Sequence, residues 1–191
     1  YSFEVENHVR RLITTEKPEI AYVLHYLRKL SPSLLVGIKK ENIPIVVRLS
    51  DYGMICPETH LFRNNEICTL CLGNNFMPSI RKKCVKNSKL FSAINVFSSA
   101  IHSQLKFFNF VDLFVCTNEF MYDMMVKAGY SKERLVVIPT FTDLDMFTPR
   151  DVNNKNKYIV YLGRIEFNKG VHVLIEAFNI FLKNNKSSVI L

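Results

Sequence analysis

Apolar positions along the 191 residues alternate between two rhythms. Val5, Val9, Leu12 and Ile13 recur at helical spacing and stop at Lys17-Pro18, so a helix is predicted to end there. A short apolar run at 20–24 fits a strand. Ser31-Pro32-Ser33 then offers a helix start, with Ser at the cap and Pro in the first turn. Leu34, Leu35 and Ile38 face inward until Lys40. Residues 43–49 read as a second strand, interrupted near its start by Pro44. Residues 90–108 read as a long amphipathic helix, 111–116 as a third strand, and 118–128 as a helix closed by Gly129. A fourth strand at 135–138 is stopped by Pro139. Strands alternating with helices predict an α/β fold built on a parallel, doubly wound sheet.

The stretch 149–157 breaks this rhythm. It reads PRDVNNKNK, polar and rich in Asn, as a linker does. Beyond it the pattern begins again. Residues 158–162 are apolar and stop at Gly163, and Val171, Leu174, Ile175 and Phe178 fall at helical spacing after Gly170. The expected organisation is a first Rossmann-like domain at 1–148, a linker at 149–157, and the opening strand, helix and strand of a second such domain at 158–191. There are no internal repeats. No apolar run reaches the roughly 18–20 residues needed to span a bilayer, and no signal peptide is visible. The chain starts without Met and ends inside an apolar run, so both ends are expected to be cut from a longer protein.

Composition narrows the partners only slightly. Hydrophobic side chains make up 48% of the chain, enough for a substantial core. The 25 Lys and Arg against 17 Asp and Glu leave a net charge of +8, which favours phosphorylated metabolites, nucleic acid or an anionic membrane face. The cations are dispersed apart from Arg81-Lys82-Lys83 and Lys155-Lys157, and no RNA-binding motif accompanies them. Nucleic acid is therefore not expected.

The most informative chemistry lies in GRIEFNKG, residues 163–170. A strand ending in Gly163-Arg164, followed by Lys169-Gly170 at a helix start, places two cations beside free backbone N–H groups and the positive end of a helix dipole. Phosphate is the expected guest. The spacing resembles the G-R-x4-K-G signature of family 4 glycosyltransferases, retaining enzymes of the GT-B fold. Three further segments resemble that family in its order: Lys17-Pro18-Glu19-Ile20 with Leu30-Ser31-Pro32-Ser33, the run IPIVVRLSDYGMICP at 43–57, and VVIPTFTDLDMF at 136–147.

The resemblance implies a hexosyltransferase that needs no catalytic metal. Arg164 and Lys169, with Gly163 and Gly170, would hold the diphosphate of a nucleotide-sugar donor. Asp51 would face the cleft and orient the acceptor, although a loop Asp capping a turn explains it equally well. Ser50 stands where many members carry His, which removes a cationic or hydrogen-bonding role. Thr140 and Phe141 replace a usual Asn and Gly. His25 ends a strand on the same sheet edge and is a candidate for the acceptor side, with a backbone-bonded histidine as the alternative. His8, His60, His102 and His172 show no partner pattern. Tyr52 and the aromatic run at 107–110 read as core or membrane-facing surface. The family's Gly-rich loop would precede Tyr1 and its E-x7-E glutamates would follow Leu191, so the piece alone is expected to be inactive. A glycan or lipid-linked acceptor, a cytoplasmic location and peripheral contact with the inner membrane face complete the expectation.

Four of the five cysteines, Cys56, Cys68, Cys71 and Cys84, lie with gaps of 11, 2 and 12 residues. A C-x2-C pair between two outlying thiols suits four-thiolate structural zinc; reduced thiols or disulfides remain the alternatives. Cys116 lies within a predicted strand and reads as a small buried hydrophobe. Against the enzyme stand two other readings: a zinc-containing nucleic-acid-binding module, and a catalytically inactive interaction fragment.

Overall fold

The computed structural model describes residues 1–24, 30–147 and 158–184. The expected linker and His25 lie outside the described residues. By compactness the chain divides into two units, Tyr1–Phe141 and Thr142–Leu191.

The first unit is α/β. Helix α1 (Phe3–Glu16) opens at Ser2, whose hydroxyl accepts the N–H of Val5. It closes at Lys17 in the left-handed region, before Pro18, which cannot continue a helix. Strand β1 (Ala21–Leu24) follows, then α2 (Ser33–Lys40) and β2 (Ile45–Arg48). Helix α2 starts at Ser33, two residues after the expected cap. Ser31 adopts a φ of 56°, and its hydroxyl pairs with that of Ser33, which also accepts the N–H of Ser2. Gly37 lets α1 and α2 approach, because a Cβ there would stand 3.0 Å from the carbonyl oxygen of Glu6.

Between β2 and the next long helix runs an irregular segment. It holds a two-stranded hairpin, β3 (Phe62–Arg63) with β4 (Glu66–Ile67), and the short helix α3 (Met77–Arg81). Helix α4 (Lys89–Gln104) is capped by Ser88 and ends four residues earlier than its apolar pattern suggested. Lys106 turns left-handed there, and Phe107–Phe110 form a 3-10 turn. Strand β5 (Leu113–Cys116), helix α5 (Glu119–Lys127) and strand β6 (Leu135–Val137) complete the unit.

The four long strands form one parallel sheet in the order β1-β2-β5-β6. This α/β architecture is compatible with a Rossmann-like domain. The strands follow chain order, so the reversal that defines a doubly wound sheet is not among the described residues. Strand β5 is central and buried on both faces, as a parallel strand covered by helices should be. Phe114, Ile45 and Val47 sit at the middle of the core. Asp112 pins the sheet's N-terminal edge by accepting the N–H of Ile45 at 2.8 Å.

The second unit is built differently. Tyr158 makes one isolated bridge, and residues 159–162 form no strand, contrary to the buried strand expected there. A ladder needs a neighbour, and among the described residues of this unit there is none. Val160 and Leu162 are consequently exposed. A 3-10 turn at Phe167–Lys169 leads into α6 (Val171–Asn184).

Candidate functional site

In the second unit, residues 163–170 form a tight polar turn that ends on a helix. At Gly163 a Cβ would lie 2.8 Å from the hydroxyl of Tyr161, the far end of a side chain that would then have to shift. That hydroxyl crosses over Gly163 and donates to the carbonyl of Arg164 at 2.9 Å. Arg164 itself is exposed, and its guanidinium pairs with Glu166 at 3.0 Å. The backbone turns back on itself here, with Lys169 N–H donating to the carbonyl of Glu166 at 2.9 Å.

Gly170 has a φ of 70°, and no atom lies within 4 Å of where its Cβ would be. Its conformation, not crowding, demands glycine. The carbonyl of Gly170 accepts the N–H of Leu174 at 3.0 Å, so α6 is closed from its first turn and its leading N–H groups face outward. Lys169 is exposed directly before that helix end. The loop therefore carries two cations and a helix N-terminus, an arrangement suited to an anion. Sequence reasoning gave His172 no part here. Its ring stacks on Phe167 with centroids 4.4 Å apart, one wall of the turn. No sequence periodicity announces that stacking, because it depends on the 3-10 turn between the two residues.

In the first unit, the sequence-predicted residues Ser50 and Asp51 follow β2 at the C-terminal edge of the sheet, where open α/β folds place ligands. Leu49 extends the ladder, its N–H reaching the carbonyl of Val115 at 2.9 Å, and Ser50 beyond it is exposed. One Asp51 oxygen accepts the N–H of Gly53 at 2.8 Å. Asp51 thus does cap a turn, with its second oxygen free of any protein donor among the described residues. Arg48 spans the same edge and donates to the hydroxyl of Thr140 at 2.8 Å.

Asp51 also lines an open cavity of about 560 Å³ whose other walls include Glu58, His60, Lys86, Asn95 and His102. His60 Nδ1 lies 2.6 Å from a Glu58 carboxylate oxygen. His102, on α4, is half-buried, and that burial holds its imidazole below the ordinary histidine range. Neither histidine stood out in the sequence. They come from a turn and a helix about 40 positions apart, so only the fold brings them together.

The four clustered cysteines and Cys116 are all free thiols. Burial pushes the Cys71 thiol up to about 11, and the sulfurs of Cys56, Cys68 and Cys84 add to that rise, so the four lie within electrostatic reach of one another. Cys116 stands apart in β5, fully buried as a core side chain. No helix among the described residues is long and apolar enough to cross a membrane. No family model, curated protein or solved structure matches the chain.

Proposed function

We propose that the chain is part of a retaining GT-B glycosyltransferase, moving a hexose from a nucleotide-sugar donor to a glycan or lipid-linked acceptor in polysaccharide or glycoconjugate biosynthesis. The observation that carries the reading is the loop at 163–170, where Arg164 and Lys169 lie exposed before the N-terminus of α6 and Gly170 supplies a left-handed turn. The leaving group of such a donor is a nucleoside diphosphate, on which negative charge grows as the glycosidic bond breaks. A guanidinium offers it a planar fork of donors, and an ammonium a compact charge. Helix N–H groups add fixed dipoles, and together these stabilise the transition state more than the ground state. In this reading no catalytic metal is required.

The acceptor side belongs to the sheet edge of the first unit. Asp51, with one oxygen unengaged among the described residues, borders the cavity in which His60 and His102 offer further polar contacts, and exposed Ser50 precedes it on the same edge. Exposed Leu90, Ile94 and Phe97 along α4, together with the net charge of +8, suit a peripheral seat on an anionic membrane face at the cytoplasmic side.

The test is titration calorimetry with UDP and with GDP. Arg164→Ala and Lys169→Ala should each weaken binding by about 10- to 100-fold, the magnitude of one lost charge-assisted hydrogen bond. Affinities within threefold of the unaltered protein for both variants reject the donor site.

A further inference from the structure

The segment between β2 and α4 carries four cysteines that play no part in the proposed transfer. Met54, Ile55 and Leu61 join the sheet's core, but beyond them the segment's own apolar cluster is small: Cys71 and Phe76, closed by Val96 of α4. Its backbone is unusually contorted. Of the twelve non-glycine residues with positive φ among the described residues, eight lie between 59 and 87. Such a segment needs a tie that apolar packing does not supply.

The four thiols arrive from different local structures. Cys56 closes a turn, its N–H donating to the carbonyl of Tyr52 at 2.8 Å. Cys68 follows β4 and donates to the carbonyl of Leu61 at 2.8 Å, one further rung of the hairpin. Cys71 precedes the 3-10 turn Leu72–Asn74, and Cys84 lies beyond α3. The backbone at Leu61, Glu58 and Thr59 lies near the sulfur of Cys56, and that at Ser79 lies near the sulfur of Cys71.

Ser79 is the second observation. It is buried near the sulfur of Cys71, its N–H donates to the carbonyl of Phe76 at 3.0 Å, and its carbonyl accepts the N–H of Cys84 at 3.0 Å. Its hydroxyl is the buried side-chain polar atom left without a partner among the described residues. A buried donor without an acceptor, placed between two cysteines, has its natural partner in a thiolate.

We propose that Cys56, Cys68, Cys71 and Cys84 form a tetrahedral four-thiolate site for one structural Zn²⁺. Among the described residues no three His, Cys, Asp or Glu side chains stand ready to hold a metal, so binding has to draw the four sulfurs together. Four S–H bonds break and four Zn–S bonds form, four protons pass to the buffer, and no electron is transferred. Arg63, Arg81, Lys82 and Lys83 supply positive charge in the same segment against the doubly negative centre. With every position taken by sulfur, none is open to water, and the site holds the segment rather than performing chemistry. This inference is independent of the donor loop, which lies in the other unit.

Zinc in protein purified without chelator decides the matter. The expected content is about one equivalent per chain, with close to four protons released per zinc on reconstitution of the metal-free protein. Less than about a tenth of an equivalent, both as purified and after reconstitution, overturns the site. Cys68→Ser and Cys71→Ser should each weaken zinc binding by about 100-fold or more, since even the loss of an outer hydrogen bond to a ligand costs 10- to 100-fold. Cys116→Ser should retain the full content, and an equal loss there overturns the assignment. Should the ligand variants fail to fold, cobalt titration of the unaltered protein reads the same centre through thiolate-to-cobalt charge-transfer absorption. Absence of that band, or disulfides among these four residues by mass analysis, also overturns it.

Discussion

Residues 45–48 and 158–162 carry the same pattern: apolar, rich in β-branched side chains, and stopped by polar residues or glycine before a helix. The first run is strand β2, hydrogen-bonded to β1 on one side and β5 on the other, with Ile45 and Val47 almost inaccessible. The second makes one bridge, and Leu162 is 96% exposed. The difference lies outside both runs. A parallel ladder is satisfied only by other strands that arrive after crossover connections. An apolar run therefore states a capacity for burial, and the rest of the chain decides whether it is used.

The comparison breaks first at the core. Phe114 is fully buried at the centre of β5, so Phe114→Ala should cost about 3–5 kcal/mol of stability, as deletion of a buried aromatic side chain does. Leu162→Ala should cost less than about 0.5 kcal/mol, because nothing is packed on it. Denaturant unfolding of both variants checks the pair. A Leu162→Ala cost approaching that of Phe114→Ala would mean that the second run is packed as tightly as the first.

What could be read from the residues follows the same division. Helix ends were local and legible. The Lys17-Pro18 stop and the Asn118 cap act within four positions of themselves, and both are where the pattern put them. The four strands of the parallel sheet were legible because each run is short, apolar and bounded by turn residues. The early end of α4 was not, since Ile101, Leu105 and Phe108 continue the helical rhythm past Gln104. Among the site residues, Asp51 and the 163–170 turn are positioned by their own neighbours in sequence. His60 and His102 line one cavity only through the fold, and no spacing encodes that. The thiols are intermediate: their spacing suggested a group, and only the fold places Ser79 between two of them.

A smaller effect sharpens the contrast through pH. Glu6 ties α1 to α2: its carboxylate pairs with the ammonium of Lys40 and accepts the hydroxyl of Tyr1. Lys40 first, then Tyr1, hold that carboxyl below its ordinary 4.5. Burial and the Glu6 carboxylate push the Tyr1 hydroxyl up to about 12, so it remains a donor throughout. The sign follows directly. A depressed carboxylate contributes stability above its unfolded value and loses it as pH falls through the folded one. The first unit should therefore weaken as pH drops below about 4.5, and Glu6→Gln should flatten that decline while lowering stability near neutrality. Thermal unfolding of both proteins between acid and neutral pH measures it; parallel curves would remove Glu6 from the account.

The smallest effect belongs to the second unit, where the acidic group is a competitor instead of a tie. Glu166 pairs with Arg164 at 3.0 Å, with both side chains well exposed. Such a pair is worth at most about 1 kcal/mol, because water and salt screen it. On the proposed function, an incoming diphosphate must displace Glu166 from the guanidinium and then accept its charge nearby. Glu166→Gln removes both the competition and the repulsion, so affinity for UDP or GDP should rise by about two- to fivefold at low salt, within the worth of one exposed pair. The gain should shrink at high ionic strength, where both terms are screened. Weaker binding by Glu166→Gln would instead make the carboxylate a support for Arg164, holding the fork in the orientation that the phosphate requires.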